Sequence, residues 1–160
     1  FDLKYYESLL LEFENTKGSI FAFHGHQADY MNYKHWKINR FFVRYFWKYM
    51  QKWFGIKDPT SPAKNYKGLV KVERKLNQWI VNNKQQMIIC GHTHRPRFPD
   101  PGDIPLFNDG SCVHPSSVIG IEIEGFSISL VRWHHHSDHT SGTEIKKTIL
   151  EGPVPLDKYL

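Results

Sequence analysis

Two histidines separated by one residue follow a short apolar run in the second half of the chain. The run is Met87-Ile88-Ile89-Cys90, and Gly91-His92-Thr93-His94 comes directly after it. Four apolar residues bounded by a turn signal predict a buried strand, so both imidazoles would lie at the carboxyl end of a strand, where open α/β sheets build their sites. Imidazole is a common ligand of zinc, iron and manganese. The spacing therefore indicates half of a metal site.

A third histidine has the same placement earlier in the chain. Residues 19–23 predict a second strand, which ends at His24-Gly25-His26. Because strand ends can share one edge of a sheet, we expect His24, His92 and His94 to meet there and to hold zinc with an open water position. A hydrolytic two-metal site also needs a bridging carboxylate. The candidate carboxylates are in loops at no diagnostic spacing: Asp29, Asp100, Asp103 and Asp109.

The remaining patterns predict a mixed α/β chain that would position these residues. A first strand is predicted at 8–13, and residues 29–54 have a helical pattern with Asp29 as its cap. Proline and glycine make residues 95–105 irregular. A glycine between two alternating runs predicts a hairpin at Gly125. The other predicted elements are a helix near 64–83 and strands at 111–113, 119–124, 126–133 and 144–150, before an irregular tail.

Composition limits the class of protein. A chain of 160 residues is long enough for one domain, and its formal charge of +5 favours an anionic partner. Two cysteines without a paired spacing suit a reducing compartment, and both Cys90 and Cys112 are predicted to be buried. No apolar stretch is long enough to span a membrane and no signal peptide is visible. We therefore expect a soluble, cytoplasmic protein.

These motifs resemble those of the calcineurin-like metallophosphoesterase superfamily over nearly the whole chain. Gly91-His92-Thr93-His94 is similar to the last motif of that family, and His24 within residues 23–29 is similar to its lone histidine. Residues 58–66, 107–115 and 150–156 look like a bacterial branch related to the UDP-diacylglucosamine hydrolases. The resemblance implies the carboxyl-terminal half of a four-layer αββα sandwich. Residues 1–160 would be one domain within a longer phosphoesterase domain, with a helical insertion at 29–83.

The resemblance also implies a function, namely hydrolysis of a phosphate ester by a hydroxide that two divalent ions activate. His24 and His92 would bind the second metal and His94 the first. The ligand types leave Mn, Fe, Zn, Co and Ni open. The expected substrate is a phosphorylated small molecule or lipid precursor, for which His26, Asp29 and Arg95 are the candidate contacts. A partly exposed loop histidine is the favoured interpretation of His26, and an exposed loop arginine is an equal interpretation of Arg95.

The chain departs from that family before His24. The family's first three motifs, Asp-x-His, Gly-Asp and Gly-Asn-His-Asp/Glu, do not occur in the 23 residues there. We therefore expect a longer natural chain whose general acid lies upstream of Phe1, so no residue of this chain is assigned a catalytic role. The isolated chain is expected to be inactive and to bind metal weakly or not at all.

A basic aromatic helix at 40–54 supports an alternative function. Arg40, Arg44, Lys48 and Lys52 recur every four residues beside an aromatic face. The alternative function is a non-catalytic module that binds anionic lipid or nucleic acid through this helix. For the helix itself, the favoured interpretation is an amphipathic helix that packs on its own domain or on a partner subunit. For the phosphoesterase we expect no nucleic-acid partner, and peripheral membrane contact and a homo-oligomer stay open. The histidine run at 134–139 is expected to be a solvated loop with adventitious metal binding.

Overall fold

The computed structural model describes residues 6–14, 16, 18–25, 66–114, 116–138 and 142–160. This part of the chain forms two sheets and one α-helix, which confirms the predicted mixed α/β class. In chain order the elements are β1 (Ser8–Glu12), β2 (Ser19–Phe23), α1 (Tyr66–Asn82), β3 (Met87–Cys90), β4 (Leu106–Asn108), β5 (Ser117–Glu124), β6 (Ser127–Asp138), β7 (Gly142–Pro155) and a 3₁₀ turn (Leu156–Lys158).

The first sheet has the strand order β1-β2-β3-β4, and it determines where the site lies. β1 is antiparallel to β2, whereas β2, β3 and β4 run parallel to one another. The sequences of β3 and β4 are MIIC and LFN, and nearly every residue of both is buried. Continuous apolar runs of this kind are typical of parallel strands covered on both faces. The three parallel strands consequently end at one shared edge.

Helix α1 covers one face of this sheet. Its buried side chains recur at every third or fourth position, which places them on one side of the helix. They are Leu69, Val72, Leu76 and Ile80. The last three of these pack with Ile88 and Leu106 of the sheet. The helix ends where Lys84 and Gln85 take positive φ angles of 58° and 61°, so the helix predicted near 64–83 is confirmed within two residues.

The second sheet covers the opposite face of the first. It is antiparallel with the order β5-β6-β7. Met87 and Phe107 of the first sheet pack with Ile128 of β6 and with Tyr159 after the 3₁₀ turn. The rings of Phe107 and Tyr159 meet edge to face, with centroids 5.0 Å apart. The described layers are therefore helix, sheet and sheet, an order consistent with part of an αββα sandwich.

The strand predicted at 111–113 is wrong, and the strand is instead Leu106–Asn108. Leu106 and Phe107 are buried and pair beside β3, whereas the backbone bends at Cys112, directly after Ser111. The Ser111 hydroxyl oxygen accepts a hydrogen bond from the backbone N–H of Val113 at 3.3 Å. Such a local side-chain bond competes with strand pairing, which accounts for the misplacement.

The hairpin at Gly125 is confirmed, but its strands extend further than predicted. Gly125 and Phe126 take positive φ angles of 55° and 61°, as a tight hairpin turn requires. β6 continues to Asp138, so the histidines at 134–136 belong to a strand and not to a loop. β7 continues to Pro155, where an irregular tail was expected. Pairing between β6 and β7 shows the extension, because Asp138 lies opposite Gly142 at one end and Ser127 lies opposite Pro155 at the other.

The predicted helix at 29–54 lies outside the described residues, and so does the basic aromatic helix at 40–54 within it. The helical insertion at 29–83 is described only from residue 66 onward, and its role as an insertion stays a prediction. No helix in the described ranges is both long and apolar enough to cross a membrane.

The two cysteines differ in burial, which leads to a testable difference in reactivity. Burial, with a contribution from the nearby Asp109 carboxylate, raises the pKa of Cys90 to about 12, whereas Cys112 is exposed and its predicted burial is wrong. The thiolate is the reactive form. We expect a thiol reagent at neutral pH to modify one cysteine per folded chain and two in guanidinium. The variant Cys112→Ser should not react when folded, and rapid labelling of that variant would contradict the burial of Cys90.

Candidate functional site

The ends of β2, β3 and β4 place three polar residues side by side. His24 follows β2, Gly91 and His92 follow β3, and Asp109 follows β4. The strand hydrogen bonding continues for one further residue, since Gly91 N–H donates to the His24 carbonyl at 3.1 Å and Asp109 N–H donates to the Cys90 carbonyl at 3.0 Å. The loops therefore leave the sheet at adjacent points. This is the edge where α/β sheets place their ligands.

The imidazoles of His24 and His92 lie next to each other at this edge. Their ring centroids are 5.4 Å apart and the rings are inclined at 75°. Two imidazoles that bind one tetrahedral ion through nitrogens at about 2.1 Å have centroids roughly 5 Å apart. The separation of this pair fits two ligands of a single ion.

The described residues do not assemble a larger ligand group. Within the ranges the structure describes, no three or more His, Cys, Asp or Glu side chains are placed to hold one ion. A shared site of His24, His92 and His94 therefore stays a prediction. Two of the residues predicted to contact substrate, His26 and Asp29, lie outside the described residues, and Arg95 is exposed in the loop after His94.

A buried asparagine holds the loop that carries both His92 and His94. The Nδ2 atom of Asn108 donates to the Gly91 carbonyl at 2.9 Å and to the Thr93 hydroxyl at 3.0 Å. Its Oδ1 atom accepts from the Gly110 backbone N–H at 3.0 Å. Thr93 and Asn108 are only 4% and 5% exposed. One amide thus connects the turn after β3 to the turn after β4.

The loop of residues 91–94, the histidine loop, has an unfavourable backbone conformation that the hydrogen bonds of Asn108 help to hold. His92 and His94 adopt positive φ angles of 67° and 55°, on either side of the anchored Thr93. Left-handed backbone is unfavourable for residues other than glycine and persists where the surroundings enforce it. Strained residues of this kind cluster at functional sites. The strain is consistent with a loop shaped to present its two side chains.

Ser111 provides a partner for His94. The Nδ1 atom of His94 lies 3.0 Å from the Ser111 Oγ atom. Ser111 follows β4, so the end of that strand contacts the histidine loop through this hydrogen bond as well as through Asn108.

Asp109 is one of the four candidate carboxylates named from the sequence, and the structure places it at the site. Its carboxylate lies against Gly91, where a Cβ atom would come within 2.8 Å of Oδ1. Partial burial raises the pKa of Asp109 above its ordinary value, and the nearby imidazoles of His24 and His94 oppose the shift. A carboxylate therefore lies among the predicted histidine ligands, although the sequence spacing gave no such indication. The available signal was the buried run Leu106–Asn108, whose end places Asp109 at the same edge.

A cavity of about 580 Å³ opens beside these groups. Its polar lining includes His24, Asp109 and Glu7, and Leu9 and Phe23 contribute apolar surface. Ligand sites commonly combine apolar walls with a few convergent polar groups. The arrangement can accommodate a small molecule whose polar end faces the sheet edge.

Comparisons with known proteins leave the family of this chain open. No family model matches the sequence, and no curated protein matches it. Among solved structures the chain is similar to Vacuolar Protein Sorting 29 from Cryptosporidium parvum, with a TM-score of 0.36 and 16% identity. That protein has a calcineurin-like metallophosphoesterase fold. The alignment covers 91% of this chain and 57% of the other. A likeness at this level shows nothing about activity.

Proposed function

We propose that this chain contributes ligands to the metal centre of a metal-dependent phosphoesterase. The observation that carries the proposal is the convergence of His24, His92 and Asp109 at one edge of three parallel strands. Imidazole and carboxylate are the ligand types that catalytic divalent ions use. The net charge of +5 suits an anionic phosphorylated substrate.

Each residue has a role in this proposal. His24 and His92 hold one ion through ring nitrogens, and His94 holds the other, as the sequence resemblance implies. Asp109 orients imidazole N–H groups, the common role of a carboxylate beside histidine ligands. Arg95 binds a phosphoryl oxygen, for which a guanidinium is well suited. Divalent ions at this edge would supply a Lewis acid and an activated water for attack on phosphorus.

The site at the strand ends is distinguished from the histidine run by a metal titration. In the test variant, three of the four histidines of this run, His135, His136 and His139, are replaced by glutamine, so that His134 alone remains. We expect this variant to retain at least one weakly bound zinc ion per chain in isothermal titration calorimetry, because His24, His92 and His94 are unchanged. Of the two outcomes expected for the isolated chain, weak binding and no binding, the adjacent imidazoles of His24 and His92 favour weak binding, so a variant that binds no zinc would contradict the proposal.

Hydrolysis is expected to be absent in the 160-residue polypeptide by itself. Its sequence has none of the motifs that supply the general acid and bridging carboxylate in the family it resembles. We expect no release of nitrophenolate from p-nitrophenyl phosphate above the buffer rate, with or without added Mn²⁺. Metal-dependent turnover that follows the protein through purification would show that this chain holds a complete active site.

A further inference from the structure

The hydrogen bond between His94 and Ser111 joins two loops that are distant in sequence. The His94 Nδ1 and Ser111 Oγ atoms are 3.0 Å apart, and the Val113 backbone N–H also donates to Oγ at 3.3 Å. The serine hydroxyl is therefore fixed from two sides. Because a hydroxyl oxygen offers two acceptor positions, it can accept from both Val113 and His94.

The backbone of Ser111 is held as firmly as its side chain. The Ser111 carbonyl accepts a hydrogen bond from the Ile119 backbone N–H at 3.0 Å. Gly110, with a φ angle of 80°, packs closely on Ile119. A Cβ atom on residue 110 would come within 2.9 Å of the Ile119 side chain. The turn after β4 is thereby attached to β5. The backbone and the hydroxyl of Ser111 are therefore both held in place by hydrogen bonds.

We propose that Ser111 is a positioning residue for His94, an inference that rests on the proposed function. Its oxygen accepts a hydrogen bond from Nδ1–H of His94, which places the imidazole proton on Nδ1. The lone pair is then on Nε2, the nitrogen left to bind an ion. A hydrogen-bond partner on the second ring nitrogen commonly fixes the tautomer and orientation of a metal-binding histidine.

The tautomer of His94 tests this role without any metal. Two-bond ¹H–¹⁵N correlation spectra of the full chain, recorded at about pH 8.5 where imidazole is neutral, assign the proton to one ring nitrogen. We expect Nδ1–H in the wild type and in Ser111→Thr, which keeps the hydroxyl. Ser111→Ala should give a mixture of both tautomers. A wild-type His94 protonated on Nε2, or a tautomer unchanged in Ser111→Ala, would overturn the proposal.

A zinc titration of the same samples measures the consequence for metal binding. The signal is the ¹⁵N resonance of His94 Nε2, which reports on that residue alone. Loss of the serine should raise the zinc concentration at half-saturation by about 10-fold or more, and threonine should restore it. Equal midpoints for Ser111→Ala and the wild type would overturn the positioning role. If zinc does not shift the ¹⁵N resonance of His94 Nε2 in the wild type, the proposed function fails. The tautomer of His94 measured without metal still decides whether Ser111 positions it.

Discussion

Replacement of Asn108 by leucine should lower the free energy of unfolding by about 3 kcal/mol. Leucine has a similar size but cannot donate to the Gly91 carbonyl and Thr93 hydroxyl or accept from Gly110 N–H, three of the bonds that the Asn108 side chain makes. Each buried polar group left without a partner costs about 1 to 3 kcal/mol, part of which relaxation recovers. Urea unfolding followed by circular dichroism measures the difference.

Asn108→Asp is a second test of the same bonds. Aspartate keeps the shape of asparagine and the acceptor for Gly110 N–H, but it cannot donate to the Gly91 carbonyl or the Thr93 hydroxyl. We expect this variant to be destabilised as well, with chemical-shift changes concentrated at Gly91 and Thr93. If both variants unfold at the wild-type urea concentration, Asn108 does not hold the histidine loop. That result would also remove the explanation given for the positive φ angles of His92 and His94.

Replacement of either His24 or His92 by alanine is expected to weaken zinc binding by about 100-fold, equivalent to about 2.7 kcal/mol. The two imidazoles lie with ring centroids 5.4 Å apart, so each variant removes one of two adjacent ligands. Calorimetric titration in the background lacking His135, His136 and His139 measures the loss without interference from the histidine run.

Arg132→Ala is the matched control, because its side chain is exposed on β6 in the second sheet and contributes no metal ligand. Its zinc affinity should equal that of the background variant. Circular dichroism should show that all the variants keep the wild-type secondary structure. Unaltered zinc affinity in folded His24→Ala and His92→Ala would exclude the pair as ligands.

The parts of the fold with strong local patterns could be predicted from sequence. β2 and β3 have the predicted limits, and the tight turn at Gly125 joins the expected hairpin strands. Both β2 and β3 are apolar runs that end at a glycine and histidine cluster. That combination also placed His24 and His92 at one edge, as the structure has them.

β4 could not be predicted because three residues are too few to show the alternation of apolar and polar side chains that indicates a strand. Leu106–Asn108 follows a proline-rich segment, and its pairing depends on β3, which is distant in sequence. Asn108 was missed with it, and Asp109 stayed one of four candidate carboxylates, since the importance of both comes from where the strand ends. The contacts that make them site residues are tertiary.

The extent of β6 was underestimated for a related reason. Its last residues are polar histidines, serine and aspartate, which resemble a loop when considered alone. Pairing with β7 satisfies their backbone groups from His134 opposite Lys146 to Asp138 opposite Gly142. Local propensity for strands is weak and yields to such cross-strand pairing.

Location of a bound ion is the most direct test of the central claim that His24 and His92 share a metal. Crystals of the chain soaked in zinc chloride would be measured on both sides of the zinc absorption edge, and the anomalous difference map would give the ion's position. The account predicts a peak between the two imidazoles at the carboxyl ends of β2 and β3. Zinc found only at the histidines of 134–139, with no density between His24 and His92, would contradict it.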